Sequence, residues 1–410
     1  MPRAQVLFFE PEHLGHQPAY VRAIAEWLDR ERPPMDAVFS VSDALVSRLK
    51  DEDGLELGRI ARLRTPGPAE LRACNHGPIY RRAMARWRLI EREMRATGTS
   101  HAHALFLDPL QLPLALGRGA GDVRGISGIL FRPSVHEVYV ESPGRGLRER
   151  VRDRMKRVSY SRMLRNPALK AVLSLDPFFP DYARRRFAGG GKVRSVPDPI
   201  VEAPSGDALA PSVSPAERQD DRCCYLLFGA LSERKGVKVV LQALESMSKE
   251  QRARVRLLLA GRLDEDCRAA VAAIRTRLSA SSEDPDGLEV IDRFLSTDEL
   301  AALVKRSDVV MAPYQRHVGS SGALVWAARH GRPVLAQQYG LVGALVRRHG
   351  LGLTVDSSDA ERLAGAMLQL SGRKTRADAC RTEGQAEFLA GRSSDEFAST
   401  VCETVLEVAA

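Results

Sequence analysis

No apolar run in the chain approaches the roughly 20 residues that a helix needs to cross a bilayer. The first residues also lack the basic, then apolar, then small-residue order of a secretory signal, so a cytoplasmic chain is expected. Cysteine is sparse. Cys74, Cys223, Cys224, Cys267, Cys380 and Cys402 are scattered with no Cys-x-x-Cys spacing, which argues against a zinc site or redox pair and for reduced, mostly buried thiols. Acidic residues are outnumbered, 52 against 61 Lys and Arg, yet no RNA- or DNA-reading module accompanies the excess, so nucleic acid is not the expected partner. What is present is ordinary globular material. With 410 residues, 44% hydrophobic and 28% charged, the chain is too long for one core and suited to two domains, and neither disordered nor fibrous.

The net charge of +9 is uneven, being densest from Gly144 to Arg165 (GRGLRERVRDRMKRVSYSRMLR). Such a stretch favours an anionic partner, either a nucleotide sugar or an anionic membrane surface touched peripherally from the cytoplasmic side, or else forms a solvated helix face.

Short β-branched or leucine-rich runs alternate with amphipathic stretches through both halves, the pattern of parallel sheets covered by helices. In the second half the spacing predicts strands at Cys224–Phe228, Val255–Ala260, Leu288–Ile291, Asp308–Ala312, Pro333–Ala336 and Gly352–Val355. Ser296 followed by Glu299 predicts a capping box for the helix leading to Val304. In the first half, strands are predicted at Gln5–Phe9, Ala37–Ser40, Ala104–Leu107, Gly125–Leu130, Lys170–Leu175 and Val193–Val196. Val201 to Asp221, rich in Pro, Ser, Ala and charge without periodicity, reads as a connector.

Ligands of open α/β sheets bind beyond the carboxyl ends of the strands, which singles out three places. Gly229 to Gly236 (GALSERKG) joins a strand to its helix, and there glycine permits close approach while Arg234 and Lys235 add cations to a helix start. Gly319, Ser320, Ser321 and Gly322 open the helix Ala323 to His330, where free N–H groups and hydroxyls suit a phosphate. Pro11 to Tyr20 follows the first strand, with Gly15 allowing a tight loop and His13 or His16 offering an imidazole. Asp108, just past Ala104–Leu107, is the best-placed carboxylate of this half. The Gly117, Gly119 and Gly121 series follows a predicted helix instead of a strand and is no dinucleotide fingerprint. His101 and His103 are explained by core packing or solvent as well as by metal binding.

Taken together, these segments resemble the family 4 glycosyltransferases of GT-B fold over nearly the whole chain, most clearly from Tyr225 to Asp356. FGALSERKGVKVVLQAL is similar to the family's strand, Gly-Arg, four residues and Lys-Gly, with Lys235 on the phosphate-binding lysine and Ala230 where the arginine stands. Ala260-Gly261 matches the Ala-Gly after the next strand. VIDRFLSTDELAALVKRSDVVMAPY is similar to the nucleobase-side loop, helix and strand, implying Arg293 and Phe294 near the base. GSSGALVWAARHGRPVLAQQYG resembles the sugar-diphosphate helix and the Gly-x-Pro-Val segment, and LFFEPEHLGHQPAYVRAIAEWL the opening strand, glycine loop and helix. The chain departs at the two glutamates that hold the donor sugar and ribose, which fall on Val318 and Trp326, and at the acceptor-side histidine, where Phe131-Arg132-Pro133-Ser134 stands.

The resemblance implies two Rossmann-like doubly wound α/β domains facing across a cleft. Residues 1–200 form the acceptor side, 201–221 the connector and 222–392 the nucleotide-sugar side, followed by an amphipathic helix at 393–410 that could pack back onto either domain, the first included. It implies a nucleotide-sugar co-substrate, retention of anomeric configuration, no metal and no further cofactor, with the acceptor (glycan, lipid-linked or small molecule) left open. Lys235, Arg234, His16 and Asp108 are then the catalytic candidates. Gly229, Gly261, Arg293, Phe294, Gly319, Ser320, Ser321 and Gly322 hold the donor, and Gly15 and His13 face the acceptor. The alternative is a GT-B protein that has lost turnover and serves as a sugar-nucleotide sensor or partner subunit, which the changes at Ala230, Val318 and Trp326 support.

Overall fold

Runs of Val, Leu, Ile and Phe with no polar alternation can be strands only where both faces of a sheet are covered, and the structure supplies two such sheets. It is a computed structural model that describes residues 3–13, 15, 17–119, 125–131, 133, 135, 147–199, 222–281, 287–316, 319 and 321–409, without the side chains of 147–150 and 279–281. The connector read at 201–221 lies outside the described residues.

The first compact unit holds a seven-stranded, wholly parallel sheet in the order β3-β2-β1-β4-β5-β6-β7. Its strands are β1 (Ala4–Glu10), β2 (Met35–Val41), β3 (Arg62–Arg64), β4 (His101–Ala104), β5 (Gly125–Leu130), β6 (Leu169–Ser174) and β7 (Val193–Ser195). The second unit repeats the plan with β8 (Cys223–Phe228), β9 (Val255–Ala260), β10 (Leu288–Ile291), β11 (Val309–Ala312), β12 (Val334–Gln337) and β13 (Gly352–Val355), ordered β10-β9-β8-β11-β12-β13. In each sheet the order reverses beside the first strand, between β1 and β4 and between β8 and β11. These two switch points open crevices at the carboxyl ends of the strands.

One layer of core lies on either face of the first sheet. Leu7 and Phe9 point toward Trp87, Ile90 and Met163, while Val6 and Phe8 point toward Tyr20, Ile24 and Phe39. The last helix, Ser394–Ala409, belongs to this second layer and to the first unit. Phe397, Val401 and Val405 are fully buried, Phe397 packs on Tyr20 with ring centroids 4.6 Å apart, and Arg194 clasps Glu407 through two bonds of 2.6 Å. Each of those three apolar side chains contributes about 1.5–3 kcal/mol by leaving water.

One expectation needs correction, and one strand went unread. The strand read at Ala104–Leu107 lies earlier, at His101–Ala104, because His101 and His103 are core residues: both are buried and both ring systems bond the Ser127 hydroxyl, at 2.7 and 2.8 Å. Burial holds them neutral, with pKa values lowered to about 4 and about 3. β3 was not foreseen, since Arg-Leu-Arg on a sheet edge carries no apolar run.

Candidate functional site

The second switch point brings together the loops that the sequence singled out. β8 is followed by Gly229, whose φ of 102° a side chain would strain. A Cβ placed there would lie 3.6 Å from Lys235 Nζ, and a Cβ on Gly261, at the end of β9, would overlap the Gly229 carbonyl. Glycine is thus required for the two strand ends to approach each other. Residues Glu233–Lys235 then make one tight 3₁₀ turn, and Gly236, at φ 85°, lies so near Pro313 that a Cβ would overlap its carbonyl oxygen. The Arg234 carbonyl accepts from Gln315 N–H at 2.8 Å, tying the turn to the exit of β11.

This geometry aims Lys235 at Tyr314. The ammonium lies 4.5 Å from the ring centroid and donates to the tyrosine oxygen at 3.0 Å, and that oxygen is 2.6 Å from Ser321 Oγ. An ammonium has only donors to offer, so Lys235 donates to the Tyr314 oxygen, and the Tyr314 and Ser321 hydroxyls bond to each other. Ser321 is the N-cap of the helix Gly322–Arg329, its oxygen accepting from Ala323 N–H. Lys235 and the helix start therefore share one small volume, joined through a buried phenol. Gly322 faces open space, so the positive helix end is accessible to an anion. Tyr314 is itself fixed from behind, its carbonyl accepting from Tyr339 Oη at 2.8 Å and Ser357 Oγ at 3.3 Å.

The other donor-side candidates are less concentrated. Arg293 is held by Glu299 through bonds of 2.5 and 3.0 Å, and Ser296 and Glu299 form the expected capping box. Phe294 beside them is 85% exposed, an unusual setting for a large ring. Gly319 is buried, whereas Ser320 lies outside the described residues. Trp326, where the resemblance places a glutamate, stacks on His330 at 5.8 Å.

At the first switch point the sequence missed the central residues. Glu10, the last residue of β1, is fully buried, and burial pushes its carboxyl up to about 8, against the Glu12 amide and Arg86 which act to lower it. Glu10 Oε1 accepts from Glu12 N–H at 2.9 Å. Arg86, also buried, bonds Glu12, the Asn75 side chain and the Cys74 carbonyl, and Asn75 Nδ2 reaches the Pro11 carbonyl at 3.2 Å. The stretch that follows β1 is thereby pinned to the helix Ile79–Thr97. A signal was available: Arg86 interrupts the apolar stripe Ala83, Trp87, Ile90. His13 is exposed, Gly15 adopts φ 79°, and His16 lies outside the described residues. Asp108 does not end a strand but opens a short 3₁₀ turn, where Oδ2 accepts from Phe131 N–H at 2.8 Å.

A cavity of about 670 Å³ also opens in the first unit, at the amino ends of β1 to β3. Its arginines are already engaged: Arg3 with Asp36, Arg32 with the Asp29 carbonyl, Arg59 with Glu56, and Arg62 with the Thr97 carbonyl. It lies at the opposite end of the first sheet's strands from that unit's switch point, so the loops beyond the carboxyl ends remain the better candidate site.

The comparisons with known proteins agree with this architecture. Residues 223–373 match the family model described as "Glycosyl transferases group 1". No curated protein sequence matches the chain. Among solved structures, Anabaena HepE in complex with UDP is similar at 16% identity over 98% of this chain and 100% of that one, with a TM-score of 0.63. Sucrose-phosphate synthase from Thermosynechococcus elongatus is 18% identical over 98% of both chains, with a TM-score of 0.67. A UDP-forming α,α-trehalose-phosphate synthase from Burkholderia xenovorans is 12% identical over the full length of both, at 0.65. Likeness of this extent assigns the GT-B fold, two Rossmann-like domains in one chain.

Proposed function

We propose that the chain is a glycosyltransferase that moves a sugar from a nucleotide-sugar donor to an acceptor hydroxyl. The observation that carries the reading is the Lys235–Tyr314–Ser321 chain at the β8/β11 switch point. It supplies a cation, an aligned pair of hydroxyls and a helix N-terminus to one spot, which suits a diphosphate. The group 1 match spans this region, and HepE, of the same fold, is solved with UDP and with UDP-glucose.

In the reaction, the acceptor oxygen bonds to the anomeric carbon as the bond from that carbon to the diphosphate breaks. The diphosphate leaves with the electron pair and takes up the proton that the acceptor hydroxyl gives up. Lys235, with Arg234 beside it, and the Gly322–Arg329 helix end stabilise the charge that develops on the leaving group, the task a divalent cation performs in other enzymes. Transfer with retention and without a metal is part of the proposal. Gly229 and Gly261 let the backbone approach the diphosphate, Arg293 and Phe294 border the base, and the first unit, through Gly15, His13, His16 and Asp108, holds the acceptor.

The test is release of nucleoside diphosphate from a panel of UDP-, GDP- and ADP-sugars by the purified protein. Slow release is expected, unchanged by a chelator, and Lys235→Ala should lower it by about a hundredfold or more while leaving the melting temperature in place. The stacking of Trp326 on His330 favours a second reading, a sugar-nucleotide sensor without turnover. Tight nucleotide binding with no release from any donor would select it.

A further inference from the structure

Eight large apolar side chains are exposed among the described residues, and five of them lie on two neighbouring helices of the first unit: Leu112 and Leu116 on or just after Gln111–Ala115, and Val151, Met155 and Val158 on Leu147–Arg165. The longer helix is turned so that Tyr160, Met163 and Leu164 are buried while Asp153 and Lys156 lie half-buried toward the body of the unit. At 100° per residue, Val151, Met155 and Val158 form a single stripe on the outward side, and Arg154, Arg162 and Arg165 share that side. Met155 is 68% exposed and Val151 53%. Exposed arginines at 152 and 157 flank the stripe. The segment Leu147–Arg165 carries eight Arg and Lys against Glu149 and Asp153, a net +6 out of +9 for the chain.

A solvated surface helix would present charge outward and apolar groups inward. This one presents both on the same outer side, so charge alone does not explain it. The combination of apolar insertion and dense arginine matches one kind of partner, the headgroup and upper acyl region of an anionic bilayer, where the arginines meet phosphates and the apolar stripe enters the interface. We propose that the outward face of Leu147–Arg165, extended by Leu112 and Leu116, is a docking surface for an anionic phospholipid membrane. The proposal stands on this face alone and does not depend on the nucleotide site.

The experiment is sedimentation of the full-length protein with vesicles of phosphatidylcholine alone or mixed equally with phosphatidylglycerol. The wild type should pellet with the mixed vesicles only, and less at high salt. Met155→Gln leaves the charge unchanged and sits on the surface, so the fold is retained, yet the bound fraction should fall by about tenfold. Arg154→Gln with Arg162→Gln should weaken binding comparably. Failure of the wild type to pellet with anionic vesicles, equal pelleting with neutral ones, or wild-type binding by Met155→Gln would each overturn the proposal. So would a wild-type dimer that Met155→Gln dissociates, since a second copy would then be what covers the stripe. Nucleotide-induced thermal shifts on the same samples keep the two readings apart: loss of docking with the shift retained touches only this surface.

Discussion

At the scale of single residues, the site turns on where one ammonium is held. Lys235 is half-buried, seated over a ring and bonded to its hydroxyl, so its head is positioned before a ligand arrives and little side-chain entropy is lost on binding. Tyr314→Phe keeps the ring but removes the phenol that joins Lys235 to Ser321. Diphosphate affinity should fall by about tenfold with thermal stability little changed, as titration against a nucleoside diphosphate would read. Glu10 gives a pH prediction. Its carboxyl is raised by burial to about 8 in the native state from 4.5, so between those values the native state holds a proton that the unfolded state has released. The stability it contributes is complete below the unfolded value and is lost as pH rises to about 8, at about 1.4 kcal/mol per pH unit, and then levels. Glu10→Gln should remove this slope, seen as a melting temperature that overtakes the wild type as pH increases. A variant that tracks the wild type at every pH would show that Glu10 is not the group holding the proton.

At the scale of elements, tight loops matter more than strand length. Gly236→Ala must strain φ at 85° and push against the Pro313 carbonyl. It should destabilise the second unit by about 2 kcal/mol or more and displace the Lys235 turn, so that denaturant midpoint and nucleotide affinity fall together. A drop in stability with affinity untouched would mean that the turn is not what positions Lys235. Most strands of both sheets could be read directly, because buried parallel strands are unbroken apolar runs such as Val255–Ala260. β4 was misplaced because its histidines and alanines carry no such run. Gly229, Lys235 and the Ser321 helix start were legible from their places after strands. Tyr314 was not, since Ala-Pro-Tyr reads as an ordinary strand exit and its role depends on two loops converging in space. Glu10 and Arg86 escaped for the same reason, being charged residues whose burial only the packed fold reveals.

At the scale of the whole molecule, two units of the same winding give each switch point a different character. The crevice of the second is built from a lysine, hydroxyls and a helix end, that of the first from a protonated carboxyl and a pinned loop. The chain returns to the first unit through Ser394–Ala409, so that unit's stability depends on the far end of the sequence. Phe397→Ala should lower it by about 3–5 kcal/mol in denaturant titration. A loss below 1 kcal/mol would mean that the helix is dispensable to the fold. The central claim is that the Lys235–Tyr314–Ser321 spot receives a diphosphate, and calorimetric titration of UDP, GDP and ADP into wild type and Lys235→Ala tests it most directly. At least one nucleoside diphosphate should bind the wild type and bind the folded variant about a hundredfold more weakly; equal affinity in the two proteins, or no binding of any of the three to the wild type, would contradict the account.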